Sequence, residues 1–134
     1  MDYAKQRTVF GNPIASYQGI QFELAEDFTK LEAARLLVYR TAWLIDKAQH
    51  GDKAARHEIP SAVAMVKSWV PHIAYDAINH ALMWHGANGY TKECTIEMGL
   101  RGVLALLTGA GGTDNAMKLV IARSLLGEEF VHSS

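Results

Sequence analysis

Apolar positions recur every three or four residues along most of the chain, which is the spacing of one face of an α-helix. The first such stretch runs from Ser16 to His50, with Ser16 as a candidate N-cap and Gly51 as the residue that ends it. At ~1.5 Å per residue, this helix would be about 50 Å long. A rod of that length needs partners to cover its apolar face, so the pattern predicts a helical bundle.

The middle of the chain predicts a second long helix. A polar link over 51–59 precedes Pro60, which suits the first turn of a helix because its nitrogen carries no hydrogen to leave unpaired. We expect this helix to run from Pro60 to His85, to kink at Pro71, and to stop at the breaker "GANG" (86–89).

The last part of the chain predicts two more helices. One spans Thr91–Thr108, and its "VLALLT" end is apolar on all sides, so we expect it to be buried on every side. The glycine-rich stretch "GAGGTDN" (109–115) follows it. Thr113 or Asp114 can cap the final helix, which should end near Gly127.

No stretch keeps the alternation of a β-strand, and the first fifteen residues, with the breaker cluster Gly11-Asn12-Pro13, are predicted to be irregular. The predicted fold is therefore all-α, an antiparallel four-helix-bundle-like arrangement. We expect residues 1–134 to form a single helical domain.

Composition narrows the possible partners and surroundings. The 134 residues are 49% hydrophobic and 20% charged, with a net charge of −1 and no block of basic residues, which argues against nucleic-acid binding. No apolar run reaches the ~20 residues of a membrane span. The lone Cys94 excludes a disulfide within the chain, and no signal peptide is visible, so we expect a cytoplasmic location with neither nucleic acid nor membrane as partner.

The common catalytic and metal motifs do not fit. The loop at 109–115 is not a dinucleotide fingerprint, because Asp114 stands where the last glycine belongs, and it lacks the Gly-Lys-Ser/Thr of a phosphate-binding loop. Its glycines suit a turn between helices. The chain has one Glu-x-x-His, Glu129 to His132, which is too few for a di-iron site, and its six histidines lack zinc-ligand spacing, so we expect no metal.

Five stretches, taken together and in order, resemble the C-terminal helical domain of FAD-dependent acyl-CoA dehydrogenases. They are "YAKQRTVFG" (3–11), "SYQGIQFELAE" (16–26), "LEAARLLVYRTAW" (31–43), Lys67 placed nineteen residues before "GANGY" (86–90), and "LVIARSLLG" (119–127). The resemblance implies a helical bundle whose first helix is truncated here to its last turn.

The resemblance also implies a cofactor site. Six residues match family positions that contact FAD: Arg7, Phe10, Gln18, Gly86, Ala87 and Thr113. In the family such contacts reach a neighbouring subunit, so a homo-oligomer, a dimer or a tetramer, is expected. Two departures weaken the match, since Ala87 replaces a glycine and Met83 replaces a glutamine. From the residues alone, Gln18 would be read as an ordinary helix-start residue.

The family's catalytic loop reads Glu-Gly-Thr, and its Glu removes the α-proton of acyl-CoA while the β-hydride passes to flavin. Counting back from Arg123 puts Gly111 at the Glu position, and counting forward from Arg101 puts Ala110 there. No catalytic residue is therefore predicted at that position. Asp114 is the nearest carboxylate and is kept as a candidate base, with helix capping as the alternative role.

Two functions remain open. The first is the C-terminal domain of an acyl-CoA dehydrogenase that desaturates acyl-CoA thioesters and passes electrons to electron-transfer flavoprotein. The alternative is a non-catalytic helical subunit or domain that assembles with a complete dehydrogenase. In either case we expect the isolated chain to be inactive on acyl-CoA, because the family's flavin-holding domains are not in this sequence, and we expect it to self-associate.

Overall fold

The computed structural model describes residues 1–131, so His132 of the Glu-x-x-His pair lies outside the described residues. Six helices account for most of the described chain: α1 (Asp2–Gln6), α2 (Gln18–Gln49), α3 (Lys53–His85), α4 (Ala87–Tyr90), α5 (Thr95–Thr108) and α6 (Asp114–Leu126). Two short strands, β1 (Thr8–Val9) and β2 (Asn12–Pro13), form a hairpin, and 3₁₀ turns cover Ile14–Ser16 and Glu128–Phe130.

The long helices α2 and α3 form an antiparallel pair that carries the core. Leu44, only 2% exposed, packs with Ala48 of α2 and with Ala55 and Ala62 of α3. Small residues at these positions let the two helix axes come close. Helices α5 and α6 pack against α3, so α3 is the central rod of the bundle.

The all-α prediction is confirmed, but several boundaries differ. Ser16 is not the N-cap of the first long helix. It lies in a 3₁₀ turn, where its Oγ donates to the carbonyl of Pro13 at 2.7 Å, and Tyr17 precedes the helix instead. The end of α2 is as expected, since Gly51 follows with a φ of 94°.

Helix α3 begins seven residues earlier than predicted, so the predicted link at 51–59 is wrong. Asp52 accepts a hydrogen bond from the amide of Ala55 at 3.0 Å and starts the helix at Lys53. Pro60 therefore lies inside the helix and not in its first turn. The Asp52 cap and the packing of α3 on α2 outweigh the preference of proline for the first turn of a helix.

Helix α5 also differs, because it begins at Thr95 after the separate short helix α4. The "VLALLT" end is not buried on every side, since Leu104 is 39% exposed and Leu106 is 44% exposed. Helix α5 packs mainly against α3, with a smaller contact to α4, and this packing leaves Leu104 and Leu106 partly exposed. In the same described range, no helix combines the length and apolarity required to cross a bilayer.

Candidate functional site

The β1–β2 hairpin presents an aromatic ring on a strained turn. Val9 pairs with Asn12, so the loop is Phe10-Gly11, and both residues have positive φ, 51° and 83°. Such two-residue turns favour glycine or asparagine, and a bulky residue in this conformation is uncommon. The Tyr17 hydroxyl donates to the Val9 carbonyl at 2.7 Å and anchors the hairpin. The Phe10 ring, at the tip of this turn, is 93% exposed.

A polar groove of about 360 Å³ lies where the N-terminal segment crosses the end of α3. Arg7, Gly86 and Ala87 all line it, together with Asn88. A neighbouring apolar groove of about 340 Å³ includes Phe10 in its lining. The structure therefore brings four of the six predicted cofactor residues to one end of the bundle.

Two residues of the polar groove were missed by the sequence reasoning. The ring of Tyr3 stacks on that of His85, with centroids 3.9 Å apart and planes inclined by 18°. The Tyr3 hydroxyl also donates to the His85 carbonyl at 3.2 Å. These residues are 82 positions apart in sequence and meet where the short helix α1 lies against the end of α3. Met83 lines both grooves, as its place before "GANGY" suggested.

The turn after α3 requires glycine at two positions. Gly86 ends the helix with a φ of 58°, which favours glycine. Gly89 is buried, and a Cβ there would lie 2.6 Å from the Leu82 carbonyl oxygen. Ala87 has no such constraint. Gln18 is exposed at the first residue of α2 and lines neither groove.

The loop between α5 and α6 is an interhelical turn, as predicted. Gly109, Gly111 and Gly112 have positive φ values of 145°, 79° and 105°. Thr113 caps α6, since its Oγ1 accepts a hydrogen bond from the amide of Ala116 at 3.3 Å. Lys67 of α3 donates to the carbonyl of Ala110 in this turn.

Asp114 is not the cap, and its surroundings make it a poorer base. Its Oδ2 accepts from Lys118 Nζ at 2.7 Å and lies 3.6 Å from His72 Nε2. The hydrogen bond from Lys118, with added attraction from His72, lowers the pKa of Asp114 below its usual range. A carboxylate with a lowered pKa holds a proton less well and is a weaker proton acceptor.

The loop and the groove are separate sites within one chain. Lys67 contacts the loop and Gly86 ends the helix at the groove, nineteen residues further along α3, which corresponds to about 28 Å. Thr113 therefore does not join Arg7 and Phe10. Among residues 1–131, no group of three His, Cys, Asp or Glu side chains is placed to hold a metal ion.

A buried ion pair joins α2 and α3 near the groove. Asp27 Oδ2 and His80 Nδ1 are 2.8 Å apart, with side chains 7% and 31% exposed. The hydrogen bond to Asp27 raises the pKa of His80 above its usual range, against a smaller opposing effect of burial. Between these residues and the groove, Trp84 Nε1 donates to Glu23 Oε2 at 2.9 Å.

The family model described as "Acyl-CoA dehydrogenase, C-terminal domain" matches residues 1–126. The chain belongs to the acyl-CoA dehydrogenase family, and it corresponds to the C-terminal domain of that family.

Named relatives agree with this assignment. The chain is 41% identical to the 3-(aryl)acrylate reductase of Clostridium sporogenes and 40% identical to the probable acyl-CoA dehydrogenase YngJ of Bacillus subtilis, each over 92% of this chain and 30% of the relative. It is 37% identical to subunit CarC of the caffeyl-CoA reductase–Etf complex of Acetobacterium woodii, over the same shares. The chain thus spans about 30% of the length of these relatives.

Solved structures show the same fold. The structure of PigA in complex with FAD matches 94% of this chain and 30% of the PigA chain, with a TM-score of 0.82 and 25% identity. The family and these neighbours point to FAD as the associated cofactor.

Proposed function

We propose that the chain acts as the C-terminal domain of an FAD-dependent acyl-CoA dehydrogenase, in which the complete enzyme desaturates an acyl-CoA thioester. The observation that supports this most is the groove at the end of α3. It gathers Arg7, Gly86 and Ala87, with Phe10 beside them. We further propose that this groove binds the adenine and pyrophosphate end of FAD.

The residues of the groove fit that end of the cofactor. The guanidinium of Arg7 offers a planar fork of donors, which suits phosphate oxygens. The exposed Phe10 ring and the stacked pair of Tyr3 and His85 offer flat faces for an aromatic base. The Gly86 turn lets the backbone approach closely. When bound, FAD supplies the acceptor for the hydride, while these residues bind and orient the cofactor.

Binding can be tested with ADP and FMN as separate probes, because each represents one end of FAD. We expect ADP to bind and Arg7→Ala to weaken it about tenfold, the loss of one charge-assisted hydrogen-bonded contact. Arg101→Ala is the matched control, since Arg101 is an exposed arginine paired with Glu97 on α5. Equal affinity of the two variants for ADP, or binding of FMN in place of ADP, would contradict the proposed groove.

The partners are proposed from the surface and from the relatives. Helix α2 carries large apolar side chains on its exposed side: Phe22, Leu36, Tyr39 and Trp43. Such a surface is typical of an interface, and we propose a homo-oligomer, a dimer or a tetramer, or assembly with a complete dehydrogenase subunit. The Acetobacterium relative belongs to an Etf complex, which supports electron-transfer flavoprotein as the electron acceptor. We also propose a cytoplasmic location.

A second function is favoured by the loop. None of residues 109–113 carries a carboxylate, and Asp114 has a lowered pKa. These facts support a non-catalytic assembly domain. A dye-reduction assay with the chain, FAD and a series of acyl-CoA thioesters can contradict this role, although both proposed functions predict an inactive isolated chain. We expect no turnover, and measurable reduction would rule out the non-catalytic role. Co-elution with a complete acyl-CoA dehydrogenase would support assembly.

A further inference from the structure

The end of α5 leaves carbonyl groups that have no partner inside the helix. The amide of Ala110 turns back to the Ala105 carbonyl at 3.2 Å. The Leu106 carbonyl instead accepts from Lys67 Nζ at 3.4 Å, and the same ammonium donates to the Ala110 carbonyl in the loop. A cation from α3 thus lies at the negative end of the α5 dipole, where it is favoured.

The loop has few other attachments. Gly109, Gly111 and Gly112 have no side chains, Ala110 has only a methyl group, and all four are exposed. The bond from the Gly112 amide to the Gly109 carbonyl, at 3.2 Å, lies within the turn itself. Within residues 1–131, Lys67 is the side chain from another helix that hydrogen-bonds to the 109–113 turn.

The glycine at 111 is matched to this lysine. A Cβ on Gly111 would lie 3.4 Å from Lys67 Cε and 3.7 Å from Lys67 Nζ, and the φ of 79° strains any other residue. A carboxylate at this position would stand beside the ammonium and compete with the Ala110 carbonyl for it. With glycine at position 111, the Lys67 ammonium stays hydrogen-bonded to the Ala110 carbonyl.

We propose that Lys67 is a positioning residue that latches the 109–113 turn to α3, and that glycine at 111 favours the latch because it fits the positive φ and offers the ammonium no competing side chain. The loop conformation is then set by a contact from α3 and not by the loop's own side chains. In the complete enzyme, the latch would fix the shape of the loop that an acyl-CoA meets. This step rests on the proposed function. The latch itself needs no ligand and can be tested without one.

Hydrogen exchange of the amides of Gly109, Ala110 and Gly112 reports the latch directly. We expect Lys67→Met to accelerate their exchange about tenfold, and Lys67→Arg, which keeps a charged donor, to restore most of the protection. Lys118→Met is the matched control, because Lys118 pairs with Asp114 on the other side of the loop. Unchanged exchange in Lys67→Met, or equal acceleration in Lys118→Met, would overturn the proposal, as would acceleration spread evenly along α2 and α3.

A second variant tests the role of the glycine and covers the case in which Lys67→Met does not fold. We expect Gly111→Glu to accelerate exchange of the Ala110 amide more than Gly111→Ala does, because both substitutions strain the φ of 79° but only the carboxylate competes for the Lys67 ammonium. In the double variant with Lys67→Met, the two effects should not multiply, since both open the same contact. If Gly111→Glu accelerates exchange of the Ala110 amide no more than Gly111→Ala does, or if the effects multiply, the coupling of Gly111 to Lys67 is refuted.

Discussion

The pair formed by Asp27 and His80 gives the sharpest energetic prediction, because it joins the two long helices inside the bundle. Replacing His80 with leucine removes the hydrogen bond at 2.8 Å and leaves the Asp27 carboxylate, whose side chain is 7% exposed, without that partner. The Asp27 charge must then stay buried without its counter-ion or take up a proton, and either outcome costs folding free energy.

The size of that cost follows from the geometry. Breaking a fully buried ion pair by removing one member costs on the order of 3–5 kcal/mol. His80 is 31% exposed, so solvent already screens part of the interaction. We therefore expect His80→Leu to lower the free energy of unfolding by about 2 kcal/mol. Adding Asp27→Leu should recover about half of this, because the unpaired charge is removed as well.

Urea unfolding followed by circular dichroism at pH 6 and at one fixed protein concentration measures all four members of the cycle. Ser68→Leu is a suitable control, because Ser68 is a half-buried polar residue of the same helix whose hydroxyl bonds only within α3. Additive effects of the two single substitutions, within about 0.3 kcal/mol, would refute the idea that Asp27 and His80 stabilise the bundle as a pair.

The pH dependence of the same pair has a definite sign. Asp27, and less strongly Glu23 and Asp76, raise the pKa of His80 above its usual value of 6.5. A raised pKa in the folded state means that the folded chain holds the proton more tightly than the unfolded chain. The stabilisation is complete below about pH 6.5 and is lost as the pH rises through the folded-state pKa. Wild type should lose this stability as the pH rises above about 6.5, whereas Asp27→Asn should not show the same loss.

Three further outcomes follow from packing. Leu44→Ala should lower the free energy of unfolding by about 3 kcal/mol in urea titration, since Leu44 is fully buried, and a loss below about 1 kcal/mol would contradict its place in the core. Gly89→Ala should disrupt the groove-side turn, seen as faster amide exchange over 86–90, because its Cβ would meet the Leu82 carbonyl oxygen at 2.6 Å; unchanged exchange would refute the close packing. Trp43→Glu should shift the chain towards monomer in light scattering, and an unchanged mass would exclude this face as the interface.

The features that the sequence allowed us to predict are those set by residues close together in the chain. Gly51 and Thr113 act within one turn of the residues that they terminate or cap, so their roles were visible in the sequence. Because of Pro60, the start of α3 was predicted too late in the chain. The preference of proline for the first turn of a helix was overridden by the Asp52 cap and by packing against α2. The exposure of Leu106 could not be predicted either, since apolarity does not reveal which neighbours are available.

The candidate site has two parts, the groove and the 109–113 loop, and the difference between them bears on function. The groove depends on a strained turn at Phe10 and on a glycine without room for a Cβ at Gly89, two features that are costly to keep unless the surface is used. About 28 Å away along α3, the loop has glycine or alanine at the position that the resemblance assigns to the family base, with the Lys67 ammonium beside it. Four of the six proposed cofactor residues thus lie together at the groove, whereas none of residues 109–113 carries a carboxylate. This contrast makes cofactor binding at the groove the first property to test, because it holds under both proposed functions, whereas the chemistry at Gly111 separates them.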